Sequence, residues 1–296
     1  MKILLATDGS EFSESAARFL TRLNFSGSDE IVILHVVSDI PYEDDAHAQI
    51  RHVIKKVSPK ILNAAGKILS KAQAKITLLE EEGVPDATIL RVAADMAASI
   101  IVMGARGLRG IKSFLLGSIT RSVAITSPIP VLVIKPFHWG ATEQIKILFA
   151  ADGSLSSNST AALLTALPFP GDTEVTILNV AWSPSFEIPE RYALEMDDRF
   201  KEDLARARTI EIRESEKIIA SAKSWLQGQF AQIATLSRGG DPALEILNYA
   251  QATMFDLIAM GSRGIKGIKG MLGSVSRRVL GHAQCPVLIG KIEHHE

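Results

Sequence analysis

Two stretches hold the residues best suited to chemistry. One reads GARGLRGIKSFLLGSIT from Gly104, and the other GSRGIKGIKGMLGSVS from Gly261. Each follows an apolar run that ends in Met-Gly, at Met103-Gly104 and Met260-Gly261. Each then leads into a Gly-Ser pair, Gly117-Ser118 or Gly273-Ser274, and a helix-like segment that continues with Ile119 or Val275. This layout suits phosphate. Glycines let the backbone come close to an anion, and N–H groups at a helix start carry partial positive charge. Serine at the expected cap can also donate to a phosphate oxygen.

The charges agree. Between Asp95 and Glu143 there is no acid, yet Arg106, Arg109, Lys112, Arg121 and Lys135 lie there. Between Asp256 and Glu293 there is again none, and Arg263, Lys266, Lys269, Arg277, Arg278 and Lys291 are present. A solvated turn explains one such loop. Two acid-free basic loops in a chain of net charge −1 favour an anion site.

Other chemistries find little support. No G-x-x-x-x-G-K-[ST] occurs, and the first strand ends in TDGS rather than G-x-G-x-x-G, so Walker and dinucleotide readings are weakened. There is no H-E-x-x-H and no G-x-S-x-G elbow, so no catalytic residue is assigned. No metal ligands are assigned either; Asp8 and Asp152 are the carboxylates best placed for a metal or water. His35 sits in an apolar strand and reads as a satisfied core residue. The single cysteine, Cys285, rules out an internal disulfide and reads as a small buried hydrophobe. Near-neutral charge argues against a nucleic-acid binder. No apolar run approaches the roughly 20 residues of a membrane span. Asp8 comes too early for a signal peptide, so a soluble cytoplasmic chain is expected.

The elements that must position these loops also come twice. MKILLATDGSEFSES at Met1 is echoed by IKILFAADGSLSSNS at Ile145, with Asp8 and Asp152 at matching places. VILHVV at 32–37 pairs with TILNVA at 176–181, and PVLVI at 130–134 with PVLIG at 286–290. The pattern describes two domains, at 1–138 and 144–296, joined by a linker at 136–144. Each alternates strand and helix patterns. Helices are expected from Ser13 to Leu23, from about Asp45 to Lys71 with Pro59 bending or interrupting it, over 118–126 and near 198–227. Several strands are continuous apolar runs, as when both faces are covered. Five strands per copy predict an α/β doubly wound parallel sheet. In such sheets ligands bind beyond the strand carboxyl ends, where strand order reverses. The mixed charges of Asp198, Lys201, Glu202, Arg206, Arg208, Glu214 and Lys217 read as a solvated helix face. The stretch 183–196 reads as a lid or contact loop.

With these motifs in place, the chain resembles a tandem universal stress protein over nearly its whole length. That family carries G-x2-G-x9-G-[S/T]. Gly104, Gly107, Gly117 and Ser118 fit it. Gly261, Gly264, Gly273 and Ser274 depart from it, with eight residues before Gly273 instead of nine. The resemblance implies an adenine nucleotide α-hydrolase-like fold, arranged as an internal pseudo-dimer that meets through 130–134 and 286–290. It implies ATP or a related adenine nucleotide, with or without Mg. Thr7, Asp8 and Asp152 would contact the nucleoside, and backbone near Val36 and Val180 would meet adenine. The glycine loops, with Met103, Met260, Arg106 and Arg263, would hold the phosphates. The shortened second loop makes the first half the expected tighter site. The implied function is a stress-response sensor or regulator that acts on an unidentified protein partner, with a homodimer of the tandem chain as a further possibility. Two rivals stay open: a slow ATPase or adenylate-using enzyme, and a scaffold that binds nothing.

Overall fold

The computed structural model describes residues 1–38, 45–107, 116–135, 144–181, 198–264 and 272–292. The first half runs β1 (Lys2–Ala6), α1 (Glu11–Leu20), β2 (Glu30–Ser38), α2 (Asp45–Ile68), β3 (Lys75–Gly83), α3 (Pro85–Asp95), β4 (Ile100–Gly104), α4 (Ser118–Thr126) and β5 (Val131–Ile134). The second runs β6 (Lys146–Ala150), α5 (Leu155–Ala166), β7 (Glu174–Ala181), α6 (Asp198–Leu226), β8 (Gln232–Gly239), α7 (Pro242–Thr253), β9 (Leu257–Gly261), α8 (Ser274–His282) and β10 (Val287–Gly290).

The ten strands among the described residues form one sheet, in the order β3-β2-β1-β4-β5-β10-β9-β6-β7-β8. Within each half every pairing is parallel, and strand order reverses between the first and fourth strands, as a doubly wound sheet requires. The halves join through β5 and β10, which pair antiparallel, Leu132 opposite Leu288. The expected internal pseudo-dimer is therefore built into one continuous sheet.

The apolar runs explain the layers. β4, β5 and β10 are buried at every position, because helices cover both faces of the sheet. One core packs under α1, α2, α5 and α6, with Phe19 and Phe149 fully buried. The other packs under α3, α4, α7 and α8, around Ile101, Val123, Ile258 and Val279. Both cores run unbroken across the β5–β10 seam. The edge strands β3 and β8 remain partly exposed on both faces.

Some boundaries differ from expectation. α1 starts two residues early, because Ser10 caps it and accepts from the Ser13 N–H at 3.3 Å. α2 runs through Pro59 and continues into a 3-10 turn at Leu69–Lys71. The charged face of α6 is exposed, with an open Arg206–Glu202 pair. The linker 136–143 and the stretch 183–196 lie outside the described residues, as do Arg109, Lys112, Lys266 and Lys269.

Polar contacts also tie the halves together. The Asn24 N–H donates to the Pro168 carbonyl at 2.7 Å. Arg22 reaches Asp256 at 3.4 Å, and the second Asp256 oxygen accepts the Lys146 N–H at 2.8 Å.

Candidate functional site

The repeated DGS turn sets the floor of each candidate site. In the first half, Asp8 Oδ1 accepts from the Ser10 N–H and hydroxyl at 3.1 and 2.6 Å. In the second, Asp152 Oδ1 accepts from the Ser154 N–H at 3.0 Å. The helix caps are thus Ser10 and Ser154; the aspartates brace the caps rather than serve as them. Behind the turn, β2 and β7 reach across with matching side chains. His35 Nδ1 lies 2.8 Å from the Thr7 carbonyl, and the Asn179 amide donates to the Ala151 carbonyl at 2.7 Å. His35 is a satisfied core residue, as its apolar strand predicts. Thr7 is itself buried and donates its hydroxyl to Ser13 Oγ at 3.0 Å.

The glycine loops close over these turns. Ala105 N–H donates to the Ile134 carbonyl at 2.7 Å, and Gly117 N–H to the Ala105 carbonyl at 2.9 Å. The second loop repeats both bonds, Ser262 to Gly290 and Gly273 to Ser262, each at 2.8 Å. The cap dihedrals match too, at −62° and 152° for Gly117 against −59° and 157° for Gly273. Ser274 thus stands in the same relation to its loop closure as Ser118 does.

Each cap is the glycine, and neither Ser118 nor Ser274 caps its helix; both open the first turn. The amides of Ser118 and Ile119, and of Ser274 and Val275, find no acceptor among the described residues. They are the orphan donors of a helix start. The Gly117 and Gly273 amides, by contrast, are turned into the loop closure. The Arg263 amide is also engaged, by Ser156 Oγ at 3.2 Å. Asp8 Oδ2 sits so close to Gly107 that a Cβ there would overlap it, and Asp152 Oδ2 would lie 3.0 Å from a Cβ on Gly264. The Arg106 guanidinium lies 5.8 Å from the centroid of the Phe12 ring.

In the second half these parts line a cavity of about 310 Å³. Asp152, Val180, Met260, Gly261, Arg263 and Gly264 contribute, with Gly273, Ser274 and Val275 at the helix end. Sequence reasoning missed Leu178, Pro242 and Ile246, which complete the apolar wall. Leu178 was within reach, two residues before Val180 on the same strand face. Pro242 and Ile246 come from α7, and nothing local marks that helix as a wall. In the first half the expected residues occupy matching places: Val36 half-buried on β2, Met103 buried at the end of β4, and Ile119 exposed on α4. An apolar slot on one side, with helix-start amides and a guanidinium on the other, can hold a flat ring and an anion together.

The basic stretches divide their labour differently from expectation. Lys135 and Lys291 are buried, and each side chain bonds to a helix end in the other half. Lys135 Nζ donates to the Ala283 carbonyl at 2.6 Å, and Lys291 Nζ to the Ala124 and Ile125 carbonyls at 2.9 and 3.3 Å. Burial pushes both ammonium groups down to about 8, opposed at Lys135 by Cys285 and reinforced by Arg106, and at Lys291 reinforced by Arg263. Arg278 pairs with Asp241 at 3.2 Å, and Arg277 donates to the Leu272 carbonyl at 3.1 Å. Among the described residues no cluster of three metal-binding side chains forms. None of the described helices is long and apolar enough to cross a membrane.

Ser154 gives the local geometry a direct test. Its hydroxyl accepts from Ser157 N–H at 3.2 Å and lies 3.0 Å from the Arg263 carbonyl. Ser154→Ala is expected to lower the unfolding free energy by about 1 kcal/mol, the usual cost of a lost cap. An unchanged urea midpoint would contradict that role.

The family model described as the universal stress protein family matches residues 1–135 and 145–291. The chain belongs to the universal stress protein family. It carries two copies of the universal stress protein unit. The universal stress protein YxiE of Bacillus subtilis is 31% identical over 145 residues, covering 45% of this chain and 98% of its own length. A universal stress protein of Methanocaldococcus jannaschii is 30% identical over 138 residues, covering 45% of this chain and 81% of its own. A crystal structure of a universal stress protein from Archaeoglobus fulgidus covers 100% of this chain and 97% of its own, with TM-score 0.63 and 22% identity. At that identity the likeness speaks for the universal stress protein fold.

Proposed function

We propose that this chain is an adenine-nucleotide-binding universal stress protein, and that ATP or a close relative occupies the strand-end site of each half. The observation that carries the reading is the second-half cavity of about 310 Å³, where apolar strand-end residues face the open amides of α8 and Arg263. Pockets for small ligands have this size and this pairing of apolar wall with a few polar groups. The adenine would lie against Leu178, Val180 and Ile246, the sugar near Asp152, and the phosphates at Ser274 and Val275. Magnesium, where present, would be carried by the phosphates, with Asp8 or Asp152 as the nearest carboxylate. Binding would bias a conformation or surface read by a protein partner during stress. The edges of β5 and β10 are already paired with each other, so a homodimer of the chain would use another face.

Titration calorimetry with ATP, with and without magnesium, tests this. Uptake of nucleotide is expected. Asp152→Ala should weaken the second-half site about tenfold, or about 1.4 kcal/mol. A chain that binds no adenine nucleotide, and releases none on denaturation, would overturn the reading.

A further inference from the structure

Lys135 and Lys291 occupy a position that a surface cation does not need. Each is under one-tenth exposed, and neither pairs with a carboxylate among the described residues. Each follows the last strand of its own half. The carbonyl just before Lys135, on Ile134, holds the Ala105 amide of the first glycine loop. The carbonyl just before Lys291, on Gly290, holds the Ser262 amide of the second. The side chains then cross the seam in opposite directions. The Lys135 ammonium lies on the Ala283 carbonyl, at the end of α8. The Lys291 ammonium lies on the Ala124 and Ile125 carbonyls, in the last turn of α4.

These two helices are the ones whose first turns carry the open amides. Each has nine residues, about 14 Å by the helical rise. A cation at the carboxyl end completes the helix dipole and fixes the last carbonyls. It also adds a positive charge to the protein interior behind an anion bound at the other end. Such a charge acts through protein rather than through water, where attraction is stronger.

We infer that Lys135 and Lys291 are reciprocal positioning residues, each setting the anion affinity of the helix in the opposite half, so that the two sites are energetically linked across the β5–β10 seam. The inference rests on the nucleotide reading above. It goes beyond that reading in assigning cross-half roles to two residues that touch no nucleotide.

The test blocks one half at a time in the full chain. Gly107→Val fills the first loop against the Asp8 carboxylate, and Gly264→Val fills the second against Asp152. Tripolyphosphate and ATP are titrated by calorimetry. In the Gly107→Val background, Lys135→Gln is expected to weaken binding about fivefold and Lys291→Gln to leave it unchanged. In the Gly264→Val background the pattern reverses. Lys135→Arg, which keeps the charge, should restore most of the loss. A second reading needs no lysine variant: the affinity of one half measured with the other filled should differ from that measured with the other blocked. Lysine variants that change only their own half, or neither, overturn the inference, as do equal affinities with the other half filled or blocked. If the unaltered chain takes up no anion, the nucleotide reading fails and the inference fails with it. If it binds and the lysine variants bind alike, the inference alone fails.

Discussion

Gly261→Ala is expected to lower the unfolding free energy by about 3 kcal/mol and to abolish anion uptake by the second half. A Cβ on Gly261 would overlap Ser156 Oγ and lie 2.8 Å from the Ser156 carbonyl carbon and the Ser157 nitrogen. Two of those neighbours are backbone at the start of α5, so no side chain can simply swing aside. Overpacking of this kind typically costs 1–3 kcal/mol, and rigid backbone puts it at the upper end. The forced shift would move α5 together with Ser154 and Ser156, which both hold the Arg263 carbonyl. Gly281→Ala makes the control. It lies inside α8 with nothing within 4 Å of a Cβ. Alanine there should raise stability by roughly 0.5–1 kcal/mol through helix propensity. Urea denaturation of both variants measures the contrast, and similar midpoints would show that close packing on Gly261 is unimportant.

Stability should also rise by about 1.5 kcal/mol between pH 8 and pH 9. In the folded chain Lys135 and Lys291 hold their protons only up to about 8, against an ordinary value of 10.5. Between those limits the unfolded chain binds more protons, so raising the pH favours the folded state. Below pH 8 both states are protonated and the dependence flattens. Burial pushes the Cys285 thiol up to about 12 from 9.0, and this works against folding as the pH climbs past 9. From pH 8 to 9 each lysine contributes about 1 kcal/mol and the thiol removes about 0.4, which leaves the stated rise. Urea midpoints at pH 7, 8 and 9 and constant ionic strength provide the measurement. The double variant Lys135→Met, Lys291→Met should flatten the profile. A wild-type curve that falls from pH 8 to 9, or a double variant that keeps the rise, would refute the assignment.

Much of the architecture was legible because it depends on local pattern. KILLA and LIAMG are too uniformly apolar for any place but the middle of a covered sheet, and they lie there. The Asp8/Asp152 repeat set the two halves in register, and the final apolar runs became the seam. What escaped depends on distance in the chain. Pro242 and Ile246 form a cavity wall only because α7 crosses the sheet above β7, and the local pattern does not say where a helix will cross. Lys135 and Lys291 look like members of a phosphate-facing basic stretch. Their true positions follow from the antiparallel joining of β5 and β10, which carries each side chain into the other half. The cap of α4 was misplaced by one residue, since glycine and serine are both common at helix starts and only the backbone angles distinguish them.

The joining of both halves in a single polypeptide frees each from mirroring the other. In an assembly of two identical subunits, any substitution at the shared boundary appears twice and must suit both settings at once. Here Arg22 faces Asp256, while the corresponding positions in the other arrangement hold Ala166 and Ser99. That ionic contact occurs once. Asymmetric contacts of this kind can be selected one at a time, so the two glycine loops are at liberty to diverge from one another.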